Sequence, residues 1–481
     1  MGVMDIISLV GSASIPHSNP VNSPSQDAGL VSKDGYKIIS SLTLYVPENI
    51  DIDRLLLENP PDFEDYHRDK FVYIMHLITS IPSKRKELIE NGGFVSVNRK
   101  LLQRRIHNYK SYIDYLKSKG IIEENRHYVP SKYSMGLRFS ARHNSRIVPV
   151  RITKWTLIKG IVYLNRNINE DLTSELEYLK VWFNDKLEVD YEGGVGYLNE
   201  LYALEVEICG AQDAIMKYNA RLLPFMRLRD MEYSFFVDQT GFRLHTSLTQ
   251  IKGSLRRFIK YEGKTLCAVD IKNSQPYLAI SLLDDEIFTR NNLSDKIINP
   301  ILNSSTNYPI MVVKKIRKLK NKPDVLLFKR YVSSGSFYEN FGKLLVENGL
   351  LEDEREDVLR DKAKEITFTS IYSSNYSINQ NVPMQLFREQ FPNVFAIFKL
   401  IKKGYRNHPA FSICLQRLEA ELVLHKICKV ISEERPDVFI ATLHDSVITT
   451  EDNVEYVESI MYNVLKEFIG VEPSLKRERW E

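Results

Sequence analysis

Between residues 360 and 372 a side chain able to grip an anion or stack on a flat ring recurs at every fourth position. These are Arg360, Lys364, Phe368 and Tyr372, within EREDVLRDKAKEITFTSIYSSN. The spacing predicts a helix carrying them as one slowly drifting stripe, basic at one end and aromatic at the other. Asp353, Glu354, Glu356 and Asp357 precede it, so the stripe alone fits an amphipathic helix with a salt-bridged start equally well. A second segment, TLCAVDIKNSQPYLAISLL, holds an apolar run from Leu266 to Val269. That run predicts a buried strand delivering Asp270 to its end, ahead of a helix. In a third, DVFIATLHDSVITT, two β-rich stretches flank His444, Asp445 and Ser446, which predicts a hairpin with Asp445 at or just inside its tip. Two aspartates on adjacent strands are the hard oxygen ligands a two-metal phosphoryl-transfer site requires. Either one alone is equally explained as a cap or a surface carboxylate.

The order of these segments resembles the family A polymerase superfamily, which holds the DNA polymerase I-like enzymes and the single-subunit phage and mitochondrial RNA polymerases. Asp270 falls on its motif A, Arg360, Lys364, Phe368 and Tyr372 on motif B, and His444 with Asp445 on motif C. Ahead of motif A, TGFRLHTSLTQI is similar to the TGRLSS…NLQNIP stretch of the DNA enzymes with one residue inserted. It carries Arg243 onto an arginine that touches the primer end and Gln250 onto a template-strand contact. LQRLEAELVLHKI carries Gln416 onto a minor-groove glutamine. The resemblance spans about 236 to 481 and implies an α+β right-hand polymerase, with palm and fingers, that extends a primer 3′ end on a DNA template from deoxynucleoside triphosphates. Asp270, Asp445 and the Ile271 carbonyl would hold two Mg²⁺ ions, which Mn²⁺ could replace. Arg360 and Lys364 would grip the triphosphate, with Lys364 protonating the pyrophosphate; Phe368, Tyr372 and Gln275 would face the nucleotide, and His444 the nucleic acid. Positioning and charge neutralisation suffice for this chemistry.

The departures from the family are specific. Gln275 stands five residues after Asp270, where the DNA enzymes carry a Glu that excludes a 2′-hydroxyl. Ser373 and Ser374 follow Tyr372 where a Gly is usual, and Ser446 follows the His-Asp pair as in the RNA polymerases. Phe368 points to DNA synthesis. A DNA-directed DNA polymerase of a mobile element, plasmid or virus is therefore the expectation. A single-subunit RNA polymerase or primase-like enzyme is the alternative within the class, and an inactive replication initiator or DNA-binding protein the alternative outside it.

The rest of the chain divides by texture. Residues 1–35 read as a flexible leader, since the Ser-, Pro- and Asn-rich stretch from 12 onward has few apolar residues. Over 36–150, helix-period text ends at Gly120 and gives way to IIEENRHYVPSKYSMGLRF, a strand–turn–strand pattern, so a mostly helical, winged-helix-like module is expected. The whole chain carries only +3, yet Arg99 to Arg151 holds 13 Lys and Arg against 3 Asp and Glu. With Tyr109, Tyr112, Tyr115 and Tyr128 interleaved, that cluster predicts nucleic-acid contact, with Arg104, Arg105 and Lys110 as contacts; a solvated basic face is the alternative. Residues 151–235 read as a helical thumb-like or linking region, interrupted by a turn at DYEGGVG, and 236–481 as palm and fingers. Six cations in KKIRKLKNK, Lys314 to Lys322, suit a template or single strand, or a solvated helix. Cys209, Cys267, Cys414 and Cys428 form no paired motif, which argues against a disulfide framework or structural zinc. No apolar run is long enough for a membrane span, so an intracellular, unsecreted protein is expected.

Overall fold

The computed structural model describes residues 39–85, 87–90, 92–125, 136–166, 174–288, 308–403 and 410–481. The proposed leader and Tyr128 lie outside the described residues. Helix and sheet are mixed throughout, and no helix among the described residues is long and apolar enough to cross a membrane.

The N-terminal part has its own core. Strand β1 (Leu42–Pro47) pairs antiparallel with β5 (Ile147–Ile152), against the helix Arg68–Lys84. That helix is followed by β2 (Val95–Ser96), the helices Arg99–Arg105 and Tyr109–Ser118, β3 (Ile122–Glu124) and β4 (Gly136–Phe139). The last three strands form an antiparallel sheet in the order β2-β4-β3. Buried Asp69 locks the two layers together by accepting from the main-chain N–H groups of Thr153 and Lys154 at 2.7 and 2.8 Å.

The tyrosines read as a nucleic-acid face are instead core. Tyr109, Tyr112 and Tyr115 are 8%, 0% and 7% exposed. At spacings of three they share one helix face with Ile113 and Leu116, and burying that area outweighs displaying it. Tyr112 packs on Phe63 and Phe71, and the Tyr115 hydroxyl donates to the Asn59 carbonyl at 2.6 Å. Arg104 and Lys110 remain exposed.

The linking region is a helical hairpin. DYEGGVG, expected as a turn, opens the helix Tyr191–Arg229, whose first N–H groups are met by Asp190 accepting from Gly193 at 3.0 Å. The break falls at Gly210, with φ 80° and ψ 160°. The two arms are tied by a bidentate Arg221–Glu205 pair at 2.6 and 2.7 Å and by the Tyr218 hydroxyl on Asn199 at 3.1 Å. One glycine of the predicted turn serves packing: a Cβ on Gly194 would lie 2.3 Å from the Phe225 ring of the returning arm.

Beyond β6 (Leu187–Val189), the β7 (Phe235–Val237) and β8 (Leu244–Thr246) hairpin and β9 (Ile259–Tyr261) comes the central strand, β10 (Lys264–Ile271). It is flanked by β12 (Ser446–Thr450) on one side and β13 (Leu475–Arg479) on the other, with β11 (Ala441–Leu443) outside β12. Both faces of β10 are covered, which explains its unbroken apolar text. Leu266 and Ala268 join the core under the helical hairpin, while Cys267, Val269 and Ile271 join the larger core beneath the C-terminal helices. Those helices, among them Phe337–Glu347 and Glu356–Tyr372, interlock through Phe328, Phe337, Phe341, Phe387 and Phe391.

Candidate active site

The antiparallel register of β10 and β12 sets Asp270 opposite Ser446, whose hydroxyl donates to Asp270 Oδ1 at 2.6 Å. Leu443 also pairs with Ser446 across a two-residue turn, so His444 and Asp445 form the hairpin tip beside Asp270. His444 adopts φ 57°, a left-handed conformation that turns the chain tightly. Asp270 and Asp445 line a cleft of about 400 Å³, whose wall also includes Ile271, Gln275, Arg360, Lys364 and Phe368. Residues far apart in the chain are thereby brought to one place. Ile271 has a buried side chain, so it offers the cleft its main chain.

Burial, followed by the nearby Asp445 charge, pushes the Asp270 carboxyl up to about 6. Facing carboxylates at the ends of adjacent strands create a local excess of negative charge that a divalent cation relieves. Among the described residues no group of three or more His, Cys, Asp or Glu is disposed to hold a metal. Two carboxylates suit Mg²⁺, which usually keeps water and takes further oxygens from substrate phosphates. A cation held there would need the carboxylate deprotonated, so its affinity would fall as pH drops through about 6. Titration with Mn²⁺ at pH 5 and 7.5 is expected to show about tenfold weaker binding at pH 5.

The facing helix presents its stripe as the spacing predicts. Lys364 is exposed and, among the described residues, has no acidic partner, its ammonium lying 5.7 Å from the Phe368 ring. Arg360 is held by Glu339 at 2.9 Å, so its guanidinium is already paired with a carboxylate. Where the family has Gly after the tyrosine, the helix ends at Tyr372 with Ser373 extended. Lys402, 4% exposed, stops it by donating to the Ser370 and Ser373 carbonyls at 2.8 and 3.1 Å.

Tyr372 enters a polar relay that sequence reasoning missed. Its hydroxyl donates to Gln275 Oε1 at 2.8 Å, and Gln275 Nε2 donates to Glu419 at 2.8 Å. Glu419 also receives Arg243 in a bidentate pair at 2.7 and 2.9 Å. Glu419 is 1% exposed, and burial pushes its carboxyl up to about 7 against the pull of Arg243. No local signal marks it; it lies three residues after Gln416 on the helix Ala410–Ala420. Gln416 packs so closely on the Arg243 turn that a Cβ on Gly241 would come within 2.5 Å of its Oε1. Asp238 shapes that turn by accepting from the N–H groups of Thr240, Gly241 and Arg243.

Other expected residues lie elsewhere. His444 is off the cleft wall, 5.5 Å from the His245 ring, and burial lowers its pKa to about 4. Gln250 donates to Ser234 and lines a separate small cavity with Lys84 and Arg227. Arg105 bonds the Tyr73 hydroxyl in the N-terminal part. In the basic run after 314, Arg317 and Lys320 are paired with Asp285, which reduces its free charge. Lys476, opposite Asp270 in the register, lines the cleft unanticipated.

No family model matches the chain, and none of the curated proteins matches it. Among solved structures, it is similar to the POL domain of Pol1 from M. smegmatis in complex with DNA primer-template and dNTP. The match covers 68% of this chain and 73% of that one, at 10% identity and a TM-score of 0.38. A likeness this loose carries no argument about chemistry, which rests on the side chains.

Proposed function

We propose that the chain is a template-dependent nucleotidyltransferase, a DNA-directed DNA polymerase built from a palm around β10 and fingers around the helix Glu356–Tyr372. One observation carries the reading: Asp270 and Asp445 at neighbouring strand ends share one cleft with the cationic side chains of Arg360 and Lys364. Asp270, Asp445 and the Ile271 carbonyl would hold Mg²⁺, which when bound neutralises charge on the reacting phosphate and lowers the pKa of an attacking hydroxyl. Arg360 and Lys364 bind the triphosphate. The primer 3′-hydroxyl gives its proton to water as its oxygen bonds to the α-phosphorus, the bond from that phosphorus to the α–β bridging oxygen breaks, and Lys364 gives a proton to the departing pyrophosphate. Arg243, fixed by Glu419, meets the primer end. The N-terminal order of helix, strand, two helices and two strands supports a winged-helix-like nucleic-acid module.

The test is extension of a labelled DNA primer on a DNA template with Mg²⁺, offering dNTPs and NTPs separately. Templated extension with dNTPs is expected; no incorporation with either set would overturn the reading. Gln275, held between Tyr372 and Glu419, would face the nucleotide sugar where the DNA enzymes carry a Glu. Gln275→Ala is expected to raise NTP relative to dNTP incorporation by about 10²-fold, measured as a ratio of kcat/KM values.

A further inference from the structure

The N-terminal part contains a second groove, of about 740 Å³, between the helix Arg68–Lys84 and the segment running from β2 into the helix Arg99–Arg105. Its rims carry Lys84, Arg85, Arg99, Lys100 and Arg105, and among the described residues no carboxylate lines it. Its floor is apolar: Leu77 and Ile81, one turn apart on the first helix and half-buried, face Leu101, which is 40% exposed. Arg99 is paired with Glu124 at 2.9 Å and Arg105 bonds the Tyr73 hydroxyl, while Arg99 Nη1 and Arg105 Nε find no acceptor among the described residues. Lys84, Arg85 and Lys100 supply the rim's exposed charge.

We propose that this groove binds single-stranded DNA, the unpaired part of the template strand. The assignment to the template rests on the polymerase reading. A cationic rim over an apolar floor suits a strand whose phosphates meet the rim while its unstacked bases lie on the floor. A duplex offers that floor nothing, because its bases are stacked inside. The groove adjoins a second cavity. Lys84 lines both the groove and the small cavity that contains Gln250. Gln250 ends the short helix that directly follows β8, whose His245 ring touches His444 at the hairpin tip.

The test is fluorescence anisotropy of the full chain, without nucleotides, using a labelled DNA strand of about 20 nucleotides, the same sequence as duplex, and as RNA, across a salt series. The parent chain is expected to bind the DNA strand most tightly. The triple variant Lys84→Glu, Arg85→Glu, Lys100→Glu should weaken single-strand binding at least tenfold. It should also flatten the log–log salt slope by about 2, as three lost phosphate contacts at roughly 0.7 each require. Leu101→Ser should weaken binding with the slope unchanged, since it removes floor and no charge. Equal or tighter binding of duplex or RNA, or full single-strand affinity in the folded triple variant, would overturn the proposal. A chain that binds strands through these cations yet extends no primer would remove the polymerase reading and leave the groove standing.

Discussion

Asp270→Asn and Asp445→Asn are each expected to cut templated primer extension by about 10³-fold or more, equivalent to ~4 kcal/mol of transition-state stabilisation. An amide fills the same space, but it brings no charge to balance a cation. In Asp270→Asn the amide oxygen would still accept from the Ser446 hydroxyl, so the sheet is expected to hold. The stability effect has the opposite sign. The folded pKa of Asp270 is raised to about 6 by burial and Asp445, so the folded chain retains a proton that the unfolded chain gives up. The ionised carboxylate therefore penalises folding, a penalty that grows as pH rises from about 4 to 6 and is complete above that. Asp270→Asn should be at least as stable as the parent at neutral pH, with the advantage gone below about pH 4. Measuring extension and denaturation midpoints on the same preparations checks both signs. An Asn variant that keeps parental activity would sink the carboxylate assignment.

Glu419→Gln should lose stability together with activity: burial raises the Glu419 carboxyl to about 7, as it raises Asp270, but here the amide also leaves unpaired a guanidinium that the carboxylate had held. Two carboxylate oxygens receive three N–H donors, two from Arg243 and one from Gln275. An amide keeps a single acceptor and turns its own donors toward a guanidinium. Breaking a buried pair in this way costs about 3 kcal/mol, to be read as a lower urea midpoint at constant m. Arg243 and Gln275 both lose their anchor, so extension should fall by about 10- to 100-fold. Glu419→Asp keeps the charge and is expected to recover part of both. Unchanged stability in Glu419→Gln would mean the relay is not formed in solution.

Local patterns were legible in the sequence, and couplings across long intervals were not. The four-residue recurrence from Arg360 to Tyr372 required a helix, and the apolar run before Asp270 required a strand. The His444-Asp445 hairpin followed from its flanks. Each rested on a period or a turn within a dozen residues. The relay could not be read that way, because Gln275 meets Tyr372 across 97 residues and Glu419 across 144. Glu419 sits among the exposed-looking charges of LQRLEAELVLHKI, and nothing in that text says which glutamate is buried. Tyr109, Tyr112 and Tyr115 show the opposite failure: basic neighbours suggested a surface, while their spacing with Ile113 and Leu116 already described a core.

The central strand also dictates when this protein can exist during its manufacture. β10 leaves the ribosome long before β12 and β13, its two main neighbours, and the Ser446–Asp270 bond closes over 176 residues. Until then Leu266, Cys267 and Val269 sit on a strand with both edges largely open, a template for pairing with other nascent chains. Chains stalled or cleaved before residue 446 should therefore collect in insoluble material. Slower synthesis over 272–445 prolongs that exposure, so the yield of working protein depends on translation speed in a stretch whose described residues contribute no strand to that sheet before β11.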